Sequence, residues 1–391
     1  MARIFFTILT LVFFYRNSFN AQNSSQDSIK VHFNPEYNIY SGFIIKNYPN
    51  VPKELMANFI SVNFSFQTSG RRNWQGFYKF PKIGIETVFG FFNNSQLGYA
   101  VGVVPNMEFR NKKKYFLKIG FGAAYFSNPF NLISNNKNFY IGYPFDNMTI
   151  LSFGHISKLG KKCALLYGIS SIHSSDGHTS LPNAGMNCVL FNIGLISGRD
   201  HKPNVLTPVK DTIKSKFILS VRASLGMHEF GETTKAIGGP SYPSYHSALY
   251  ISRPYKKIHV VEAGIIWSYY TSFHDYIINQ EMYKDKINLR SCTGVIFIGH
   301  EFVFGKFGFS TQAGFYFYNP FFIQQKKLDG SWKEVSQKME AFNTNRVGFM
   351  YYPFKKKSTL NRLKNQFMLG MYIKANLGQA DLLEFCVGYR F

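Results

Sequence analysis

The sequence predicts an all-β fold, an antiparallel transmembrane β-barrel of about 14–16 strands, and three observations predict it. The 391-residue chain carries 42 Phe, 25 Tyr and 32 Gly against only 17% charged residues. No internal apolar run approaches the ~20 residues that a membrane helix requires. Yet many segments alternate apolar and polar side chains with a period of two, as strands with one face in lipid do.

Taken in order, the N-terminus predicts export. Met1-Ala2-Arg3 is a short basic start, Ile4 to Tyr15 an apolar core, and Asn20-Ala21-Gln22 a cleavage point after Ala21, so residues 1–21 are expected to be a signal peptide. No cysteine follows that core, which argues against a lipoprotein anchor. The clearest strands are 115–125, 163–175, 185–195, 307–318 and 381–391. In 307–318, Phe307, Phe309, Thr311, Ala313, Phe315 and Phe317 share one face, and Gly308, Ser310, Gln312 and Gly314 the other. Apolar out and small or polar in is barrel-wall patterning. The last segment repeats it, with Leu383, Phe385, Val387, Tyr389 and Phe391 opposite Glu384, Cys386, Gly388 and Arg390. A final strand ending on an aromatic residue resembles the C-terminal insertion signal of bacterial outer-membrane proteins, with Cys386 where that pattern prefers glycine.

Loop lengths in the second half alternate. A long loop follows 216–228, then the tight Arg253-Pro254-Tyr255-Lys256 turn, the long 272–288, the short Phe304-Gly305-Lys306, and the long 319–341. Long loops at one rim and short turns at the other fit an outer-membrane barrel. Segment 197–215, with two prolines and mixed charge, is either a linker or a long turn. A single barrel over 22–391 is expected, because separate halves would each have to close their own edges.

The net charge of +23 suggests an anionic partner, but its positions do not. Lys112-Lys113-Lys114, Lys161-Lys162, Arg253 with Lys256-Lys257, and Lys355-Lys356-Lys357 all fall on the tight-turn side. Solvated turns facing an anionic leaflet account for them, and no nucleic-acid motif is present. The four cysteines Cys163, Cys188, Cys292 and Cys386 have no metal-ligand spacing. No metal or cofactor is expected.

The stretch Ile172 to Asn187 carries the chemistry. A strand over 163–175 puts His173 and Ser175 on one face. A serine hydroxyl is a poor nucleophile until an adjacent base takes its proton. In simple hairpin register Ser175 lies opposite Gly185, His173 opposite Asn187 and Ile169 opposite Phe191. Serine, histidine and asparagine then meet on the outward, lipid-facing wall near the rim. Polar groups meeting in lipid need one another's hydrogen bonds. Residues in the wet headgroup zone at a strand end satisfy the same pattern.

His173-Ser174-Ser175-Asp176-Gly177, Pro182-Asn183 and Gly185-Met186-Asn187 resemble the signature of the PagL-like lipid A 3-O-deacylases, whose relatives are often called acyloxyacyl hydrolases. The likeness is strongest over 163–195 and extends over 37–196. It implies a serine esterase of the bacterial outer membrane that removes an ester-linked acyl chain from lipid A or a related acylated glycolipid. By this resemblance His173 is the general base, Ser175 the nucleophile, and Asn183 an oxyanion-hole donor helped by a backbone amide near His178. Two positions depart from the family pattern: Asp176 replaces an asparagine, and Asn187 replaces a glutamate. Asn187 is therefore the expected orienter of His173, with Asp176 a possible auxiliary carboxylate. The alternative is an inactive barrel serving as a pore or a binding protein. His228, His274 and His300 fall in no recognisable cluster, and Trp74 and Trp267 read as interfacial anchors or packing residues.

Overall fold

The computed structural model describes residues 34–46, 55–70, 72–198, 216–231, 239–255, 258–354, 365–376 and 379–391. The expected signal peptide lies outside them. Among the described residues sixteen antiparallel strands form, and no helix is long and apolar enough to cross a membrane. The first eight are β1 (Asn34–Ile44), β2 (Met56–Gln67), β3 (Lys82–Phe92), β4 (Tyr99–Arg110), β5 (Tyr115–Phe126), β6 (Phe145–Lys158), β7 (Cys163–Ser175) and β8 (Met186–Ser197). The second eight are β9 (Ile218–Glu229), β10 (Ser241–Tyr255), β11 (His259–Tyr270), β12 (Cys292–Phe304), β13 (Phe307–Tyr318), β14 (Asn343–Tyr351), β15 (Gln366–Asn376) and β16 (Gln379–Arg390).

These strands close two barrels of eight, not the single barrel expected over 22–391. β8 turns back to pair with β1, with Ile193 opposite Ile39, and β16 pairs with β9, with Tyr389 opposite Val221. Each half thus does close its own edges, the step that the single-barrel expectation rejected. Alternation along a strand reports which face meets lipid but not which strand completes the ring, so the sequence left closure open. Residues 199–215, the centre of the expected linker, lie outside the described set.

The alternation itself places side chains as expected. Along β13, Phe307, Phe315 and Phe317 are exposed while Gly308, Ser310 and Gln312 point inward, and β16 exposes Phe385 and Val387 while burying Glu384, Cys386 and Arg390. An eight-stranded ring is just wide enough for side chains to fill it. In the first barrel an apolar layer of Tyr40, Phe59, Val88, Val104, Met148 and Ile172 lies over an ionic one. There Lys118 Nζ sits 2.9 Å from Glu36 and 3.0 Å from Glu86, with the Tyr40 hydroxyl donating to Glu86 at 2.7 Å. In the second, Arg390 bridges Glu262 (3.0 Å) and Glu301 (2.6 Å), Arg346 meets Glu384 (2.6 Å), and Arg222 lies over the Tyr372 ring. The single larger ring on which the pore reading rested does not form; each ring of eight is lined instead by these side chains.

The barrels touch along their walls. Trp74 and Tyr78, from the short helix Asn73–Phe77 after β2 and its C-cap, pack on Phe304 of β12, the Tyr78 ring stacking at 4.5 Å, and Phe121 of β5 meets Phe349 of β14 at 4.9 Å. Trp74 is therefore a packing residue, whereas Trp267 stacks on Tyr318 on the outer wall. Lys112 to Lys114 and Lys161 to Lys162 occupy short turns at one rim, while Lys256, Lys257 and Lys355 to Lys357 fall outside the described residues.

Lys118 neutralises two carboxylates in the buried interior, and removing one member of such a cluster leaves unpaired buried charge. Lys118→Met is expected to destabilise the first barrel by about 3–5 kcal/mol, measured by urea unfolding in detergent micelles. Adding Glu36→Gln and Glu86→Gln should recover part of the loss, and no recovery would count against the ionic origin.

Candidate functional site

β7 and β8 form one hairpin, in which His173 pairs with Asn187 and Ile169 with Phe191. The odd-numbered residues of β7 face outward. Tyr167, Ile169 and Ser171 are exposed, His173 is half-buried, and Ser175 is only 5% exposed, because residues 176–185 fold back over it.

That loop is shaped by Asp176. Its Oδ1 accepts the N–H groups of His178 (2.8 Å) and Thr179 (3.2 Å), while the Thr179 hydroxyl returns a bond to the Asp176 carbonyl (3.2 Å). A short carboxylate holding the amide two residues on is the Asx-turn, which tolerates the left-handed conformation that Gly177 (φ 71°) and His178 (φ 70°) adopt. The turn aims the Gly177 N–H at Ser175 Oγ, 3.2 Å away. Further round, Asn183 Nδ2 donates to the same oxygen at 3.0 Å. Two N–H donors therefore converge on Ser175 Oγ. The loop is braced by Ala184 N–H donating to the Phe139 carbonyl (2.8 Å), and Asn147 Nδ2 donates to the Ser175 carbonyl.

On the returning strand, Asn187 Oδ1 lies 2.8 Å from His173 Nδ1. An amide oxygen only accepts, so this contact puts the proton on Nδ1 and leaves the lone pair on Nε2. Between His173 and Ser175 no hydrogen bond forms in this structure. Gly185 (φ 67°) sits between them: a Cβ there would lie 3.2 Å from His173 Cε1 and 3.6 Å from Ser175 Cβ. Any side chain at 185 would press on the imidazole.

The structure thus gathers His173, Ser175, Asn183 and Asn187 at the end of one hairpin. It differs from the sequence reading at two positions. The amide of His178 is engaged by Asp176, and the backbone donor on Ser175 is that of Gly177. Asp176 itself, through its engaged oxygen, shapes the turn and makes no hydrogen bond with His173. Residue 176 follows Ser175 out of the strand, which ends at Ser175. Asp146, which no motif in the chain marks, is 3% exposed, and its two carboxylate oxygens have no hydrogen-bond partner. It faces inward at the same rim and lies close enough to Asp176 to interact with it electrostatically. Among the described residues no group of three or more His, Cys, Asp or Glu is arranged to hold a metal ion.

Comparison with known proteins gives two family matches. The model described as lipid A 3-O-deacylase (PagL) matches residues 58–195, which include every residue of the site. The model described as acyloxyacyl hydrolase, C-terminal domain, matches residues 216–352, from just before β9 to just past β14. No curated protein matches the chain. Among solved structures, a triple mutant of the Rhodopseudomonas blastica porin is 8% identical, with 93% of this chain and 100% of that one covered and a TM-score of 0.18. CdiB from Acinetobacter baumannii is 7% identical, covering 93% and 60%, with a TM-score of 0.20. Scores this low carry no argument about fold or function.

Burial pushes the Asp176 carboxyl up to about 7, against the pull of the backbone N–H groups it accepts. A carboxyl whose value is higher folded than unfolded favours the native state only while protonated. Its contribution is present below about pH 4 and is lost as pH rises towards 7. Asp176→Asn keeps the accepting oxygen and removes the buried charge. The variant should match the parent protein near pH 4 and exceed it at pH 8 by up to about 4 kcal/mol, the worth of three pH units. Thermal unfolding in detergent across that range measures the difference, and a constant offset would contradict the titration.

Proposed function

We propose a mechanism on one premise: the chain belongs to the PagL-like family of lipid A 3-O-deacylases and acyloxyacyl hydrolases. Members are carboxylic ester hydrolases acting on lipid A, and membership together with the barrel fold implies the outer membrane. In the reading proposed here, Ser175 is the nucleophile. His173 Nε2 takes the Ser175 proton as Oγ attacks the acyl carbonyl, then passes it to the departing sugar alkoxide. It next activates a water that releases the fatty acid from the acyl-serine. The carbonyl oxygen, as it gains charge, is received by Asn183 Nδ2 and the Gly177 N–H, a contribution of roughly 10²–10³ in rate for one such donor.

One observation carries this reading. Two N–H donors aim at the oxygen of a serine whose neighbouring histidine has its far nitrogen fixed by an amide oxygen. That is the division of labour a serine esterase needs, with donors, base and orienter each supplied by a different residue. The surroundings suit the substrate. Ile169, Val189, Phe191 and Ile193 are exposed on the same outer wall, so a glycolipid dissolved in the leaflet would lay its acyl chain beside the hairpin and reach Ser175 sideways.

Asn187 is neutral where the family pattern has an acid. It selects the tautomer but adds no charge to stabilise the imidazolium formed during attack. The deacylase reading is checked by mass spectrometry of lipid A from cells expressing the protein. The parent chain should remove one ester-linked acyl group, and Ser175→Ala should lower the rate at least about 10³-fold. Acyl loss that persists at the parental rate in folded Ser175→Ala would sink the assignment. In purified protein, Asn183→Ala should lower kcat about 10²–10³-fold, and Asn187→Asp should raise it.

A further inference from the structure

The second barrel touches the loop that serves the His173, Ser175 and Asn187 cluster. We propose that Glu229, the last residue of β9, is a positioning residue for the esterase site, holding residues 176–185 over Ser175 from the neighbouring barrel. This rests on the reading of Ser175 as the nucleophile.

Glu229 is 4% exposed, and both its oxygens are engaged. Oε2 accepts the Leu181 N–H at 2.7 Å, and Oε1 accepts the Gly239 N–H at 3.1 Å. A buried carboxylate receiving backbone N–H groups makes charge-assisted bonds, stronger than neutral ones and directional. Leu181 stands two residues before Asn183, so the anchor acts on the arm that carries the Asn183 amide to Ser175 Oγ. The other arm is held as well. The ring of His178 lies parallel to that of His228 on β9, centroids 5.8 Å apart and planes 13° from parallel. His228 is itself fixed, with Nδ1 3.0 Å from Ser272 Oγ and Nε2 3.8 Å from Asp381. A Cβ on Gly177 would come 3.4 Å from Leu383 of β16, so the residue that donates the second N–H to Ser175 lies against the other barrel too.

The consequence is chemical. A donor pair stabilises an oxyanion only if it is already in place when charge develops, and a loop held at one hairpin alone has freedom to lose that geometry. With the second barrel gripping both arms, the two donors are set before substrate arrives. The contact predicts an effect on turnover and none on substrate affinity, because Glu229 touches the loop and not the acyl chain.

The test uses the full chain in detergent micelles, with lipid A bearing a 3-O-acyl chain as substrate. Active sites are titrated with a fluorophosphonate that labels reactive serine. Glu229→Ala should lower kcat per titrated site at least tenfold with KM within twofold. It should also speed amide hydrogen exchange over 176–185 at least tenfold, with heat-modifiable migration unchanged. Glu229→Gln keeps one accepting oxygen and should fall between the two, which guards against a variant that fails to fold. Parental kcat and exchange in both variants, with Ser175→Ala inactive, would overturn the clamp and leave the esterase reading standing. So would a raised KM with kcat unchanged, or fewer titrated sites each turning over at the parental rate. No fatty-acid release by the parent chain would overturn both, while Ser175→Ala retaining activity would overturn the nucleophile assignment on which the clamp rests.

Discussion

In hydrocarbon an unpaired backbone N–H or C=O costs several kcal/mol, and a sheet escapes that cost only by closing on itself. This constraint organises the molecule twice. β1 with β8 and β9 with β16 complete separate rings, so no strand edge remains open in either. A ring of eight then dictates its own contents. It is too narrow for a channel and too wide to be empty, so inward positions carry aromatic and aliphatic side chains in layers with ion pairs. The buried charges are tolerated because each ionic layer is arranged around opposite signs, Lys118 between Glu36 and Glu86, and Arg390 between Glu262 and Glu301.

Filling the interior leaves chemistry to the outside and the rims. A hairpin end supplies what an ester hydrolase asks for at small expense in sequence. Residues two apart on β7 share the outward face, the opposite strand presents Asn187 to the histidine, and a ten-residue loop folds back with its N–H groups towards the serine. The same arrangement exposes the site to its weakness. A loop at a barrel rim is among the more mobile parts of such a fold, and oxyanion stabilisation depends on fixed donors. A second closed barrel beside the first offers a rigid surface on which to fix them. On the proposal made here, Glu229 and His228 supply that surface, giving residues 216–391 a part in the reaction.

How much was legible beforehand follows from the range of each interaction. Period-two alternation is a property of neighbouring residues, so strands such as 307–318 and the outward faces of β7 and β16 were readable directly. The pairing of His173 with Asn187 was readable as well, because a hairpin's register is set by its own loop. The Asx-turn at Asp176 was within reach in principle, since an aspartate two residues before an amide in a glycine-containing loop is a local pattern. The expected donor is a backbone amide near His178; the structure supplies the adjacent Gly177 N–H, because the turn engages that of His178. His228 was set aside because nothing near it in sequence could pair with it; its neighbours are His178, fifty residues earlier, and Asp381, far later.

By itself the sequence determined the strands, the face each turns outward, the meeting of His173 with Asn187 beside Ser175, and the kinship of residues 163–195 to lipid A deacylases. All of these rest on contacts within a strand or across one tight hairpin. Only the tertiary structure decided how many rings the strands form, because closure joins β1 to β8 and β9 to β16 across more than 150 residues each, and alternation is the same for either outcome. It alone also brought Glu229 to the Leu181 amide, since two barrels choose their mutual contact by the shape and polarity of whole surfaces, which no local pattern in the chain records.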